Sequence, residues 1–292
     1  MQQTKHGAAA GDAQPLRPDW TIEQNWDAYT SADHRVWKTL YERQSQLLAG
    51  RACDEFIDGM RRLSIDPSKI PDFRGLSEVM MKRTGWQVVA VAGLVPDEVF
   101  FDHLANRRFP AGQFIRKPDE LDYLEEPDVF HDVFGHVPML VHPVFADYMQ
   151  AYGLGGLRAQ KLGVLKNLAR VYWYTVEFGL IDSREGLRIY GSGILSSYAE
   201  TFFSIEDRSP NRLRFDIERV MQTQYCIDDF QETYFVIDDF DELLNLASTD
   251  FGPVYERVKV KPDLEPGQVL NSDIVISVGT GAYHAEKRED NR

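Results

Sequence analysis

Apolar residues recur at helical spacing along much of the chain. Val36, Leu40, Leu47 and Leu48, with Gln44 on the same stripe, predict a helix from about Ser31 that stops at Gly50. Phe56, Met60 and Leu63 predict a second helix, ended before Pro67. Residues 71–75 (Pro-Asp-Phe-Arg-Gly) read as a turn, Leu76 to about Thr84 as a helix, and Trp86 to Val91 as a strand. A helix with proline near its start follows from Pro96 to Leu104, then an extended run from Phe109 to Ile115. Pro143 to about Tyr152 reads as a helix broken by Gly153-Leu154-Gly155-Gly156. No strand precedes those glycines and no Gly-Lys-Ser/Thr follows, so a phosphate loop is rejected. A long helix is expected from Lys161 to about Phe178, with Leu162, Leu165, Leu168 and Tyr172 on one face. Arg188 to Tyr190 reads as a strand, Gly191-Ser192-Gly193 as a flexible turn, Phe215 to Cys226 as a helix, and Thr233 to Ile237 as a strand. Asp239 caps a helix running to about Ala247.

There is no internal repeat and no linker between two cores. The pattern predicts a mainly α, single catalytic domain of packed helices with a few short strands over residues 21–262. A mobile arm is expected at 1–20 and a tail at 263–292, ending in a mobile charged run from Glu286 to Arg292.

Composition narrows the function. The chain has 292 residues, 43% hydrophobic and 27% charged, with a net charge of −14 from 32 basic and 46 acidic side chains. So acidic a surface disfavours phosphate backbones and anionic lipids, so no nucleic-acid or membrane partner is expected. The two cysteines, Cys53 and Cys226, lie far apart in apolar sequence, which fits free thiols in a reducing cytoplasm. No apolar run approaches about 18 residues and no signal-peptide core is visible, so a soluble intracellular protein is expected.

Three residues stand out chemically. His131 and His136 are five residues apart in an apolar setting, with Gly135 between them and Pro138 just beyond. On an unbroken α-helix that step separates two side chains by roughly 140°. The expected arrangement is therefore a short helix with Pro127 in its first turn and Gly135 as a left-handed cap, turning the chain back so that both rings face one point. Glu177 lies in the apolar run Val171 to Leu180, where an ionised carboxylate costs several kcal/mol unless a cation or hydrogen bonds offset it. Taken alone, it could be protonated or paired with Arg170 or Arg116. Taken with the histidines, it completes a two-His-one-carboxylate face with open positions, which suits non-haem Fe(II). Zinc with the same donors is the competitor.

The stretches 126–138 (Glu-Pro-Asp-Val-Phe-His-Asp-Val-Phe-Gly-His-Val-Pro) and 172–180 (Tyr-Trp-Tyr-Thr-Val-Glu-Phe-Gly-Leu) strongly resemble the pterin-dependent aromatic amino acid hydroxylases, bacterial members most of all. Residues 93–101, 103–110 and 191–197 support the match, which covers roughly Pro15 to Pro262. The resemblance implies that His131, His136 and Glu177 bind Fe(II) and that Arg116 holds the substrate carboxylate. It implies that Pro127, Trp173 and Phe178 wall the substrate ring. Ser196 and Ser197 then lie near the substrate backbone and one iron-bound histidine. Phe100 stacks on the tetrahydropterin, with Leu94, Val95 and Ala169 nearby, and Asp132 acts near it through water. Tyr172 lies near the metal. The implied reaction is hydroxylation of L-phenylalanine to L-tyrosine with O2 and a tetrahydropterin, through an Fe(IV)-oxo electrophile that attacks the ring.

Two departures and two rivals accompany that reading. Animal relatives carry a regulatory domain in front and a tetramerisation helix behind. Here a bare, monomeric catalytic domain is expected instead. Leu124 stands where animal relatives have a hydroxyl residue near the substrate. Another aromatic amino acid, such as tryptophan, is the alternative substrate. A zinc hydrolase on the same ligands would need a general base as in His-Glu-x-x-His, and the residue after His131 is Asp132 at a different spacing. A non-catalytic protein with a structural metal would usually close its site with four protein ligands.

Overall fold

The expected first helix spans Ser31–Leu48, opened by a capping box between Thr30 and Asp33, and the chain leaves it through Gly50 at φ +72°. Its buried stripe is Val36, Trp37, Leu40, Gln44, Leu47 and Leu48. The computed structural model describes residues 17–122 and 126–290. The expected arm at 1–16, Leu124, and the last two residues of the charged run lie outside the described residues. The described end of the arm, Arg17–Trp20, lies against the fold. Asp19 pairs with Arg108 at 3.1 Å, and its carbonyl bonds His103 Nε2 at 2.9 Å.

The second helix is Asp54–Leu63. The expected turn at 71–75 is already helical from Phe73, because Asp72 accepts the Arg74 N–H and starts Phe73–Arg83. Strands β1 (Thr21–Ile22), β2 (Gln87–Val91) and β3 (Arg108–Gly112) form a small sheet in that order. β2 and β3 run parallel and are joined by the helix Asp97–Ala105. Pro110, which cannot donate to a ladder, sits on the edge strand β3. A second sheet has the order β5-β4-β7-β6-β8, from β4 (Leu180–Ser183), β5 (Gly186–Ile189), β6 (Asn211–Arg214), β7 (Thr233–Ile237) and β8 (Val275–Ser277). β7 is buried at every position, as the middle strand of that sheet should be.

Several expectations are overturned. Gly153, Gly155 and Gly156 do not break a helix. One helix runs Pro143–Leu162 straight through them and ends at Gly163, φ +68°. A Cβ on Gly153 would stand 2.3 Å from Ala105 N, and one on Gly156 2.0 Å from the Phe101 ring. The glycines let this helix lie directly on Asp97–Ala105. The long helix expected over 161–178 is in fact a new helix, Leu165–Tyr172, that passes into a π-helical turn, Trp173–Glu177. The helix expected over 215–226 spans only Ile217–Gln222, because Asp216 caps it and Thr223 is extended, paired with Leu264. The tail is folded to Asp290. β8 joins β6, Asp273 forms a buried pair with Arg219 at 2.9 Å, and the described part of the charged run lies in the helix Ala282–Asp290, where Lys287 meets Asp229 at 2.9 Å. Ion pairing across to the 229–232 loop replaces the repulsion that made the run look mobile.

Cys53 is buried and free, and Cys226 is half-buried and free; burial raises both thiols, Cys226 to about 11. Among the described residues no helix is long and apolar enough to cross a membrane.

Candidate active site

The two histidines sit on a π-helix, Phe130–His136, not on a capped α-helix. In a π-helix the backbone bonds from i to i+5, so the five-residue step that parts two side chains on an α-helix brings them together. Gly135 is not a left-handed cap. A Cβ there would lie 2.9 Å from the Ser192 carbonyl oxygen, so its role is close approach of the 192–196 segment. The π-helix is anchored by its apolar side. Phe130 and Phe134 stack at 4.7 Å, Trp37 meets Phe130 edge-on at 5.4 Å, and Phe56 meets Phe134 at 5.8 Å. Asp128 starts it by accepting the His131 N–H at 3.0 Å.

The second π-helical turn ends at Glu177 and delivers its carboxylate to the same point. His131 Nε2 and His136 Nε2 are 3.2 Å apart. Glu177 Oε1 is 3.2 Å from His136 Nε2, and Oε2 is 3.7 Å from His131 Nε2. Among the described residues this is the one cluster of three or more His, Cys, Asp or Glu ligand atoms close enough to share an ion. Neither Arg170 nor Arg116 pairs with Glu177. Arg170 bonds Asp263 at 2.8 Å and Arg116 bonds Asp128.

Hydrogen-bond logic assigns the imidazole protons. A serine hydroxyl has one proton to give. Ser196 Oγ lies 2.8 Å from the Ser192 carbonyl oxygen and donates to it, so it accepts from His131 Nδ1 at 2.9 Å. His131 therefore carries its proton on Nδ1 and turns a bare Nε2 to the centre. Burial pulls its pKa down to about 4, with Glu177 opposing, so the ring is neutral at pH 7. Burial pushes the Glu177 carboxyl up, but His136, His131 and the Gly193 N–H outweigh it and hold it below the ordinary glutamate value. A carboxylate and two imidazole Nε2 atoms converging on one point are the donor set of a cation. Ligands at right angles on an ion with bonds of about 2.0–2.2 Å stand about 3 Å apart, so the observed spacing fits.

Around this centre the remaining expected residues fall as follows. Arg116 is buried and locked to Asp128 by Nε at 2.9 Å and Nη2 at 3.0 Å. Trp173 tilts against Phe178 at 4.8 Å. Tyr172 bridges two groups, with its ring 6.3 Å from that of His136 and 5.7 Å from that of Phe100. Burial raises its hydroxyl pKa well above the usual tyrosine value, so it is no anion at neutral pH. Ala169 is half-buried one turn before Tyr172. Val95 is half-buried and Leu94 exposed on the loop entering the Phe100 helix, and Pro127 is exposed beside Asp128. Asp132 accepts the Gly112 N–H at 2.7 Å. Burial pushes its pKa up to about 7 against that bond. Its carboxylate is thus engaged with a backbone amide. Ser197 caps the helix Tyr198–Ile205 through the Glu200 N–H and does not reach a histidine.

Residue patterns alone missed five neighbours. Asp128 orients Arg116, and its one visible signal was a cap-type residue three before His131. Phe109 packs on the His136 ring at 4.8 Å. Tyr225 stacks on Trp173 at 4.3 Å, and Gln231 Oε1 accepts the Trp173 indole N–H at 2.9 Å. Ser192 Oγ lies 2.9 Å from His136 Nδ1. Phe109, Tyr225, Gln231 and Ser192 carry no local signal, because their partners are brought to them by tertiary contacts.

A bis-imidazole, single-carboxylate face on two π-helical turns of a mainly helical domain defines a mononuclear metalloenzyme. The chain belongs to the biopterin-dependent aromatic amino acid hydroxylases, whose family model matches residues 24–252. It is 61% identical over 277 residues to the phenylalanine-4-hydroxylase of Caulobacter vibrioides, covering 95% of this chain and 94% of that one. It is 54% identical over 261 residues to that of Chromobacterium violaceum, covering 89% and 88%. The iron- and phenylalanine-bound crystal structure of the Chromobacterium violaceum enzyme superposes with a TM-score of 0.87 at 51% identity, over 91% of this chain and 97% of that chain. Its cobalt-bound structure gives 0.87 at 54% identity, over 88% and 93%.

Proposed function

We propose that the chain is a phenylalanine 4-monooxygenase, converting L-phenylalanine to L-tyrosine with O2 and a tetrahydropterin at Fe(II) held by His131, His136 and Glu177. The observation that carries the reading is the convergence of Nε2, Nε2 and carboxylate within 3.7 Å of one another along adjacent pairs. It is supported by relatives 54–61% identical that carry that activity in their names. When bound, the iron and the pterin supply the activation of O2. The chain's own residues hold, orient and exclude. Asp128 grips one edge of the Arg116 guanidinium and the Leu121 carbonyl oxygen accepts from Nη1 at 3.4 Å, and in this reading the N–H groups left over take the substrate carboxylate. Trp173, Phe178 and Pro127 wall the substrate ring, with Tyr225 and Gln231 holding the indole. Phe100 is the stacking face for the pterin. Leu94, Val95 and Ala169 would lie along it, and Asp132 would reach it through water. Tyr172, packed between the Phe100 and His136 rings, would keep bulk water from the site. Ser196 fixes His131, and Ser197 supports the same segment by capping the next helix. No strong acid or base is required of the protein, because its task is positioning. In the same reading the enzyme acts as a monomer in the cytoplasm, with small molecules as its partners.

The test is tyrosine formation from phenylalanine with Fe(II) and tetrahydropterin supplied. Activity should fall by orders of magnitude in His131→Ala and in Glu177→Ala. Turnover that persists without pterin, or that only zinc restores, would overturn the reading.

A further inference from the structure

The segment Ser192–Ser196 touches all three metal donors. Ser196 Oγ accepts from His131 Nδ1 at 2.9 Å, Ser192 Oγ meets His136 Nδ1 at 2.9 Å, and the Gly193 N–H donates to the Glu177 carboxylate. The segment is buried at Gly191, Ser192, Ile194, Leu195 and Ser196. It is a short buried helix, Ser192–Leu195, where a flexible turn was expected. A Cβ on Gly191 would stand 2.4 Å from Gly179 N and 2.5 Å from the Glu177 carbonyl oxygen, so the glycine marks tight packing.

Ser192 is the hub. Its Oγ lies 2.6 Å from the carbonyl oxygen of Val176, the residue before Glu177, and spends its only proton there. Toward His136 it is then an acceptor, so in the neutral ring His136 bears hydrogen on Nδ1 and presents a bare Nε2. The Ser192 carbonyl oxygen accepts the Ser196 hydroxyl at 2.8 Å, which leaves Ser196 as the acceptor for His131. A chain of donated protons thus runs His131 to Ser196 to the Ser192 backbone, and His136 to the Ser192 hydroxyl to Val176. Ser192 is 2% exposed, so no bulk water stands ready to replace the hydroxyl.

We infer that Ser192 is a positioning residue for the metal: it fixes the tautomer and orientation of His136 and ties both imidazoles and Glu177 to one preformed turn. The inference rests on the reading that these three residues hold iron, and it deepens that reading by assigning the device that sets the donors before an ion arrives. Losing such a partner to a metal-bound histidine typically costs 10–100-fold in metal affinity.

The test uses Co(II) as probe, titrated into metal-free full-length protein and followed by visible absorption. Imidazole 15N shifts of the metal-free protein report the tautomer. Ser192→Ala should bind Co(II) about 10–100-fold more weakly and should show His136 as a mixture of tautomers. Ser192→Thr and Ser192→Val add the same bulk, so packing strain falls on both. Thr should bind more tightly than Val by a similar factor. Equal affinity of Ser192→Ala and wild type, or of the Thr and Val variants, would overturn the inference. So would a His136 that stays protonated on Nδ1 alone in Ser192→Ala. A wild-type protein that binds cobalt but forms no tyrosine strikes the hydroxylase reading alone, whereas unchanged cobalt affinity in the variants strikes this inference alone.

Discussion

At the scale of single residues, the arginine that was expected to meet substrate is first of all half of a buried ion pair. Arg116 and Asp128 are 8% and 0% exposed, and Asp128 also accepts the backbone N–H of His131. One carboxylate therefore aims the guanidinium proposed to hold substrate and starts the π-helix that carries both histidines. Removing one member of a buried pair costs about 3–5 kcal/mol, because the other is left charged and unpaired. Asp128→Ala should lose stability of that order in urea unfolding, and its KM for phenylalanine should rise by more than its kcat falls. A loss below about 1 kcal/mol would mean that water reaches Arg116 and that the pair is of the surface kind. The convergence of His131, His136 and Glu177 was legible because a carboxylate in an apolar helix and two histidines in an apolar stretch each demand a partner. Ser192 and Gln231 were not, since a serine between glycines and a glutamine in a loop demand nothing until His136 and Trp173 arrive beside them.

At the scale of elements, stripes with caps were readable and departures from α geometry were not. Thr30 with Asp33, and Asp239 with Glu242, open helices where the pattern places them. The π-helical turns at 130–136 and 173–177 escaped, because over five to seven residues an apolar run has no period that separates π from α. The glycines at 153–156 were misread because a helix breaker and a helix-contact residue look alike in sequence. Their environments now separate them. Alanine at Gly156 would drive its Cβ to 2.0 Å from the Phe101 ring, while at Gly155 the nearest atom is 3.8 Å away. Gly155→Ala should stabilise by about 0.4–1 kcal/mol through helix propensity and chain entropy. Gly156→Ala should destabilise by about 1–3 kcal/mol through overpacking. Thermal melts of the two variants check this, and shifts of the same sign would refute the packing argument.

At the scale of the whole molecule, the fold joins distant sequence through buried polar groups. Glu200 is the clearest. It is 6% exposed, accepts the Tyr234 hydroxyl and the Gln231 N–H, and lies near Asp229. Burial raises its pKa to about 7, against those hydrogen bonds. With the folded value above the unfolded one, the folded state holds the proton longer, so stability falls as pH rises from about 4.5 to about 7 and is level above that. Glu200→Gln cannot ionise. Its stability relative to wild type should improve between pH 5 and pH 8, by up to about 3 kcal/mol, as read from urea midpoints at both values. A constant difference across that range would show that Glu200 is ionised throughout. The mainly helical, single-core architecture was legible from the helix stripes and the absence of a linker. The folding of the tail was not, because Asp273 and Lys287 find Arg219 and Asp229 only across the finished sheet. The π-helical turns have a last consequence at this scale. One ion would be gripped by backbone from two stretches some forty residues apart in sequence, each wound in a rare geometry. Whatever free energy the ion gives up on binding is withdrawn if either turn relaxes to an ordinary α-helix. Metal occupancy and helix type are then one linked equilibrium, and depleting the metal would loosen the very coils that recognise it.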